Sequence, residues 1–256
     1  MRAAGNTLTT AVLAVATAIA LVAIGVSVFL TPAWVFAEQD RAAADAWTGW
    51  PPVEVHRITG EVLHDLVVGP PSFAQVDPTG VPVFDAREQG HLRDVRGVFG
   101  AAAGIALASL LVLVGTAAVA ARRGHLAARV WRAVELGARA LAVTVVALGV
   151  VSLVAFDAAF QAFHELFFAP GTYLFDPTRD RLVQLFPDAF WSDTSIALGM
   201  VLLVVATATA ALAGRRLARA RRLANDPGPN AAPGPSAGRD PEIGPEPAAP
   251  SLRAGR

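Results

Sequence analysis

The sequence predicts a mainly α-helical polytopic membrane protein with four transmembrane helices and a small extracytoplasmic α+β cap. Hydrophobic residues make up 54% of the chain and charged residues only 16%, whereas charged residues form about 25% of a typical soluble protein. Four charge-free stretches are long enough, or nearly long enough, to cross a hydrocarbon core, which takes about 20 apolar residues. Arginines cluster in alternate connections between these stretches, as is typical of a polytopic membrane protein.

The predicted spans are 8–30, 97–121, 140–160 and 194–214. The charge-free part of the third span, between Arg139 and Asp157, is short, so we expect this span to continue to about residue 160. A cleaved signal peptide is the alternative interpretation of the first span. Its apolar run of 23 residues exceeds the usual signal-peptide core of about 7–15 residues, so we expect a retained helix.

The placement of arginines predicts that both termini are cytoplasmic. The loop 122–139 and the segment 215–222, directly after span four, each carry five arginines. This orientation makes 1–7, 122–139 and 215–256 cytoplasmic, and it places the cap, 31–96, and the lid loop, 161–193, outside. Eight of the 18 prolines fall in 226–256, so we expect this tail to be disordered.

The composition excludes several functional classes. The 21 cations equal the 21 anions, so no basic excess favours nucleic-acid binding. Cysteine is absent and every cation is an arginine. Disulfides, thiol catalysis, cysteine-ligated zinc and lysine Schiff bases are therefore excluded. Four spans without an internal charge offer no evident transport pathway.

The cap is predicted to contain a helix and a short hairpin. Residues 54–68 place their apolar side chains at helical spacing. Two short apolar runs, 73–76 and 81–84, flank the sequence DPTG at 77–80, which is typical of a tight turn. A second helix is expected to begin near Arg87 and to continue into span two.

Two of the five histidines, His91 and His164, are predicted to meet at the outer membrane boundary. Glu88 and Asp94 lie one helical turn from His91, and Asp157 shares a helical face with His164. Two imidazoles could form a general acid/base pair, because each can take and return a proton near neutral pH. Each could equally cap a helix end or bind a lipid headgroup, and together with the aspartates they could hold a metal. The zinc-protease helix motif and the Gly-x-Ser-x-Gly nucleophile motif are both absent.

The central part of the lid loop, 163–190, is the most distinctive segment of the chain. It is dense in aromatic residues, proline and aspartate, too irregular for a span and too apolar for an exposed loop. This composition favours an interfacial lid, and it also fits an ordinary re-entrant loop that packs on the helix bundle.

Four runs in and before the lid loop resemble the signature of a known family. They are FDAAFQAFHELFF at 156–168, FDPTRD at 175–180, LFP at 185–187 and EQGHLRDV at 88–95. With the four spans, they make residues 8–214 similar to the bacterial membrane family of lipoprotein intramolecular transacylases. Leu92 and Tyr173 replace the methionine and tryptophan that are common in that family, and the turn at 169–171 is less polar.

The resemblance implies an enzyme of the bacterial cytoplasmic membrane whose active site faces outward. Such an enzyme moves the sn-2 acyl chain of a diacylglyceryl-cysteine lipoprotein to the α-amino group of the same cysteine, which gives the lyso form. The implied partners are diacylated bacterial lipoproteins and membrane lipids, and neither a cofactor nor a metal is expected. Because the amine and the ester belong to one molecule, high effective molarity replaces the need for a covalent acyl-enzyme.

The resemblance points to His91 and His164 as the catalytic pair. An imidazole is a suitable base for an α-ammonium with a pKa of about 7.7–8.0, and an acid must then protonate the departing glycerol oxygen. We expect His164 to be the base and His91 to supply the acid or stabilise the oxyanion, although the order could be reversed. The expected orienting residues are Asp94, Asp157 and Glu88. The expected substrate-contacting residues of the lid loop are Phe167, Phe168, Tyr173, Asp176 and Asp180.

Two other functions remain open from the sequence. One is a non-catalytic integral membrane protein of the envelope with the same scaffold, in which replacement of either histidine leaves the phenotype intact. The other is a metal-dependent lipid-modifying enzyme, which a chelator inhibits.

Overall fold

The computed structural model describes residues 2–123 and 126–225, so the tail predicted to be disordered, 226–256, lies outside the described residues. The described residues form α-helices, with longer connections between α4 and α5 and between α6 and α7. The helices are α1 (Arg2–Phe29), α2 (Pro32–Arg41), α3 (Ala44–Thr48), α4 (Pro52–Val67), α5 (Ala86–Arg122), α6 (Ala127–Phe167), α7 (Arg181–Leu185) and α8 (Asp188–Asn225).

Four helices are long and apolar enough to cross a membrane. The candidate spans are Asn6–Phe29 in α1, Ala86–Arg122 in α5, Ala127–Phe167 in α6 and Asp188–Arg222 in α8. The apolar middle of each helix contains one of the spans predicted from the sequence, and the charged residues lie towards the helix ends. The prediction of a four-span helical membrane protein is therefore confirmed.

Small residues allow close approach of the helices in the bundle. A Cβ atom on Gly137 of α6 would lie 2.2 Å from the carbonyl oxygen of Ala14 of α1, so only glycine fits at this crossing. Small residues commonly permit such packing in membranes, where lipid removes the hydrophobic force that drives helices together in water. The buried cluster at the centre of the bundle consists of Leu21, Ala138, Leu141, Ala206 and Ala210.

The cap is helical, and the prediction of an α+β cap is wrong. No strand occurs among the residues that the structure describes, and the predicted hairpin is reduced to one isolated antiparallel bridge between Val76 and Pro82. Pro82 has no N–H group with which to extend the ladder. The first apolar run is also bent, because Phe73 adopts a positive φ of 47°. The predicted helix at 54–68 is confirmed by α4.

The cap has an apolar core of its own, which joins it to the lid loop. Leu182 and Leu185 of the lid loop pack in this core with Leu92 of α5. Each large apolar side chain that is fully buried contributes about 1.5–3 kcal/mol to folding. This packing fixes the lid loop on the N-terminal end of α5. The other buried members are Ala44, Val55, Ile58, Val62, Phe73, Val83 and Phe84.

Helix α6 continues into the lid loop, so residues 161–167 are helical. The backbone leaves helical geometry at Ala155 (φ −151°, ψ 53°), which separates the apolar part of α6 from the terminal segment 156–167. The chain then turns through Gly171, whose φ is +84°, and enters α8 at Asp188. The C-terminal end of α6 and the N-terminal ends of α5 and α8 consequently lie together beneath the cap.

Candidate active site

Two histidines from different helices meet at the cap end of the bundle. His91 lies in the second turn of α5 and is buried, and His164 lies in the last turn of α6 and is half-buried. The centroids of their rings are 6.1 Å apart, and the ring planes differ by 21°. The structure thus brings together the two histidines that the sequence singles out.

A backbone carbonyl orients His164. The Nδ1 atom of His164 lies 2.8 Å from the carbonyl oxygen of Phe160, one helical turn earlier. A carbonyl can only accept a hydrogen bond, so Nδ1 carries the proton, and the neutral ring keeps its lone pair on Nε2. A lone pair on Nε2 makes this ring suited to act as a base.

Aromatic side chains surround both imidazoles. The ring of Phe168 lies 4.8 Å from that of His91 and 5.5 Å from that of His164. Phe175 lies 5.5 Å from His91, and Tyr173 lies 5.3 Å from His164. The Nδ1 atom of His91 is buried and forms no hydrogen bond within the described part of the chain. The pair therefore lies in an apolar enclosure formed largely by the lid loop.

Arg87 anchors the lid loop above the histidines. Its Nη2 atom donates to Oδ2 of Asp180 over 2.6 Å, and its Nη1 atom donates to the carbonyl of Leu174 over 3.0 Å. The guanidinium carbon also lies 4.8 Å from the ring centroid of Phe175, in a cation–π arrangement. Since Phe175 packs against His91, Arg87 connects the position of the lid loop to that of the catalytic candidate.

Glu88 forms a second anchor. One carboxylate oxygen accepts from the backbone N–H of Asp85 over 2.8 Å, which completes a capping box at the start of α5. The other oxygen accepts from the backbone N–H of Leu182 over 2.7 Å, at the start of α7. Glu88 is buried, and both of its oxygens are used in these two hydrogen bonds, one within the start of α5 and one to the lid loop. Its hydrogen bonds therefore support the lid loop and do not reach His91.

Two aspartates of the lid loop shape the turn before α7. Asp180 is buried, and its Oδ2 atom accepts from the backbone N–H of Asp176 as well as from Arg87. Hydrogen bonds from the side chain and backbone of Thr178 lower the pKa of the Asp176 carboxyl. These carboxylates organise the lid loop, and their hydrogen bonds do not include the histidines.

The remaining predicted residues differ in their placement. Asp94 and Asp157 are exposed, and the hydrogen bond at Nδ1 of His164 goes to Phe160 rather than to an aspartate. Phe167 points outward with 46% of its surface exposed. Among the residues that the structure describes, no group of three histidine or acidic side chains could hold a metal ion.

Sequence reasoning did not single out Arg87 or Phe175 as site residues. Arg87 is 93 residues from Asp180, and no local pattern marks the pair. The one available signal was charge, since Arg87 immediately precedes the run EQGHLRDV and Asp180 ends the run FDPTRD.

Comparisons with known proteins identify the family of the chain. The family model of the lipoprotein intramolecular transacylase Lit matches residues 54–191, which is more than half of the chain and includes both histidines and the whole central lid loop. No curated protein sequence matches the chain significantly.

Solved structures of one membrane protein share the fold. The in meso structure of the membrane integral Lit from Bacillus cereus matches with a TM-score of 0.70 and 16% identity, covering 86% of this chain and 99% of that one. Two variants of the same protein, with a histidine replaced by arginine or alanine, match with TM-scores of 0.68 and 16% identity. They cover 87% of this chain and 96% or 97% of theirs. At this identity the structural likeness shows the fold alone, and the sequence match shows the family. The chain is a multi-pass bacterial membrane protein that belongs to the lipoprotein intramolecular transacylase family.

Proposed function

We propose that this protein converts diacylated lipoproteins to the lyso form. It moves the sn-2 acyl chain of the diacylglyceryl-cysteine to the α-amino group of that cysteine, by acid/base catalysis with His91 and His164. The observation that carries the proposal is the juxtaposition of the two rings, 6.1 Å apart beneath the lid loop. Both termini are cytoplasmic in this proposal, and the site faces the outer leaflet.

His164 is the base. Its Nε2 lone pair takes a proton from the α-ammonium, because Nδ1 is committed to the carbonyl of Phe160. The free amine then attacks the ester carbonyl of the same molecule. The N–C bond forms, and the bond between that carbonyl carbon and the glycerol oxygen breaks. The nitrogen loses a second proton as it becomes an amide, the glycerol oxygen gains one proton, and no covalent acyl-enzyme is required.

His91 supplies the acid or a hydrogen bond to the oxyanion. Its Nδ1 atom is buried without a partner in the described residues, and leaving such a group unsatisfied costs about 1–3 kcal/mol. A substrate oxygen that forms a hydrogen bond with His91 would recover this free energy. The bond would stabilise the transition state, in which negative charge develops on the reacting ester. The rings of Phe168 and Phe175 cover His91, which is buried, and the low polarity around it strengthens that hydrogen bond.

Exposed apolar side chains beside the pair suit the acyl chains of a lipid substrate. Phe163 and Leu166 project from the last turns of α6 with 49% and 76% of their surfaces exposed, and Leu174 of the lid loop is 63% exposed. In water, such a patch would be costly, but in the outer leaflet it contacts lipid. A diacylglyceryl group could therefore approach the histidines from the membrane.

The experiment is mass spectrometry of the N-terminal lipopeptide of a model lipoprotein, co-expressed in a host that lacks N-acylation. With the unmodified protein, we expect one acyl chain to move from glycerol to nitrogen at unchanged total mass. His164→Ala and His91→Ala should each abolish that product.

His56→Ala is the matched control. His56 lies in the cap, 2.8 Å from Asp40 and stacked on Phe36, and it makes no contact with the histidine pair. The proposal fails if well-expressed unmodified protein leaves the peptide diacylated. It also fails if the two site variants still produce the lyso form at the rate of His56→Ala.

A further inference from the structure

The cap comes close to the membrane at the loop 67–71, directly after α4. The guanidinium of Arg96 in α5 donates to the carbonyl of Asp65, near the end of α4. Arg96 is also the last charged residue before the charge-free stretch of span two. The end of α4 is therefore held at the level where α5 enters the membrane.

The chain that follows this loop runs back along α5, away from the membrane. The carbonyl of Ser72 accepts from Arg93 over 3.4 Å, and the carbonyl of Phe84 accepts from Gln89 over 3.0 Å. These contacts move from Arg96 back to Gln89, which corresponds to about 10.5 Å along the axis of α5. The loop is consequently the turning point of this part of the cap, and it lies closest to span two.

The loop exposes an apolar surface. Val67 and Val68 are 54% and 73% exposed, and Pro70 and Pro71 are exposed as well. A cluster of exposed apolar side chains is unfavourable in water and often marks a site of interaction with a membrane or a protein. At the level of Arg96, the neighbouring lipid leaflet would cover these side chains.

The backbone of the loop is suited to a medium that offers few hydrogen-bonding partners. The N–H groups of the two residues after Val67 both donate to the carbonyl of His64, over 2.9 Å and 2.7 Å. The next two residues are prolines, which have no N–H group, and the N–H of Ser72 donates to the carbonyl of Pro70 over 2.7 Å. No N–H group is therefore left unpaired from 68 to 72. An unpaired donor would oppose insertion, because it is costly to bury in lipid.

Two arginines beside the loop have no acidic partner. Arg93 and Arg96 donate to neutral oxygens, and neither forms an ion pair within the described part of the chain. Their charges remain available to the phosphate groups of lipids, which lie just outside the hydrocarbon core that a span crosses. This complementarity favours a phospholipid leaflet over an apolar protein surface as the partner of the loop.

The loop lies on the far side of α5 from the histidine pair. Successive residues of a helix are turned by about 100°, so Arg93 and Arg96 are about 140–160° around the axis from His91. The loop is thus a surface separate from the candidate active site.

We propose that the loop 67–71 inserts into the headgroup region of the phospholipid leaflet on the cap side, with Arg93 and Arg96 at the level of the phosphates. This contact holds the cap at a fixed height above the bundle, in addition to the packing of the cap on the lid loop. It does not depend on the proposed acyl transfer.

The absence of cysteine allows a direct test with the full-length protein. Val68→Cys is labelled with a nitroxide in nanodiscs of phosphatidylethanolamine and phosphatidylglycerol. Electron paramagnetic resonance then compares collisions of the label with oxygen, which concentrates in lipid, and with a water-soluble nickel chelate. We expect the ratio of oxygen to nickel collisions to be several-fold higher at Val68 than at an equally exposed position of the cap that faces water.

Val53→Cys provides that control position. Val53 is 74% exposed, almost the same as Val68, but it lies at the start of α4, about 22 Å away along the helix axis. Its label should collide mainly with the nickel chelate. Arg93→Glu in the Val68→Cys background should lower the ratio at Val68, because it places a negative charge beside the phosphates.

Three outcomes would contradict the proposal. Equal ratios at Val68 and Val53 would overturn it, since the loop would then lie in water. Low accessibility of the Val68 label to both reagents would also overturn it, because the loop would then pack against protein, and dipolar broadening would identify a second copy of this chain. An unchanged ratio in Arg93→Glu would overturn the assignment of the phosphates.

Discussion

The imidazole of His164 donates its Nδ1–H to the backbone carbonyl of Phe160, 2.8 Å away and within the same helix. An acid/base enzyme more often orients a histidine with a carboxylate, which also stabilises the charged ring. A carbonyl fixes the tautomer without adding a negative charge to the apolar enclosure. The orientation of the proposed base is thus provided by the last turns of α6 themselves.

We predict that neutral His164 is the Nδ1–H tautomer. The physical reason is that the carbonyl of Phe160 cannot donate, so the proton must reside on Nδ1. Nitrogen chemical shifts of ¹⁵N-histidine-labelled protein at basic pH measure the tautomer directly, and the His164→Gln spectrum identifies the signal. The His56→Gln spectrum, in which that signal should persist, is the control. An Nε2–H signal for His164 would contradict the proposed base.

We predict that Glu88→Gln releases the lid loop from α5. The carboxylate accepts two backbone N–H groups, from Asp85 and Leu182, whereas the single oxygen of a glutamine replaces only one of these acceptors. A hydrogen bond to a charged group contributes about 1.5–3 kcal/mol, so amide exchange around Leu182 should rise tenfold or more. Hydrogen–deuterium exchange measures this rise.

Glu61→Gln is the control for Glu88→Gln. Glu61 pairs with Arg57 on the exposed face of α4, and exposed pairs contribute about 0–1 kcal/mol. Exchange in the lid loop should match the unmodified protein in this variant. Equal exchange in Glu88→Gln and Glu61→Gln would show that Glu88 does not hold the lid loop.

We predict that the cap loses stability below a pH of about 4 through Asp65. Burial raises the pKa of Asp65, but hydrogen bonds from Ser72, Phe73 and Gln75 outweigh this effect and lower it overall. A lowered pKa adds stability that is complete above the unfolded value of about 3.9 and is lost as the pH falls through the folded value.

The measurement for Asp65 is Tm against pH in detergent. The unmodified protein should lose Tm in acid, and Asp65→Asn should have a lower Tm at neutral pH and a flatter acid limb. Asp45→Asn in α3 is the control, because that side chain forms no hydrogen bond within the described part of the chain. An unchanged acid limb in Asp65→Asn would refute the assignment.

The sequence was sufficient for the spans and for the histidine pair. Span positions depend on local length and hydropathy, and His91 and His164 meet because one lies near the start of α5 and the other near the end of α6, at the same end of the bundle. The fold around them required contacts between distant residues. Arg87 and Asp180, 93 residues apart, illustrate the kind of pair that no spacing rule identifies.

The expected orienting role of Asp157 shows a limit of helical spacing. Asp157 shares a face with His164 but lies seven residues earlier, which is about 10.5 Å along the axis and too far for a hydrogen bond. The carbonyl of Phe160 is closer, and sequence patterns do not reveal backbone acceptors. The prediction of a hairpin was wrong for a related reason. Residues 77–80 predict a turn, but they do not predict whether strands pair beyond it, and Pro82 limits the pairing to one bridge.

We predict that Gly137→Ala destabilises the bundle. Its new Cβ would lie 2.2 Å from the carbonyl oxygen of Ala14, so α1 and α6 must move apart, at a cost of about 1–3 kcal/mol. Gly149→Ala, in the same helix, is the matched control because nothing lies within 4 Å of its Cβ position. Thermal unfolding in detergent should show a lower Tm for the first variant only. Equal Tm values would mean that α1 and α6 do not pack this closely.

We predict that Arg87→Lys slows acyl transfer about tenfold with little change in Tm. A lysine can keep the ion pair with Asp180, but its single ammonium cannot also bond to the carbonyl of Leu174 and cover the ring of Phe175. Phe175 packs against His91, so loss of these contacts should displace the imidazole and slow the reaction. A tenfold lower rate corresponds to an activation free energy that is higher by roughly 1.4 kcal/mol. Initial rates on a synthetic diacyl lipopeptide measure the change. The control is Arg93→Lys, which changes an exposed arginine later in α5 and should retain full activity. If Arg87→Lys were as active as Arg93→Lys, the lid loop would position Phe175 without the guanidinium of Arg87.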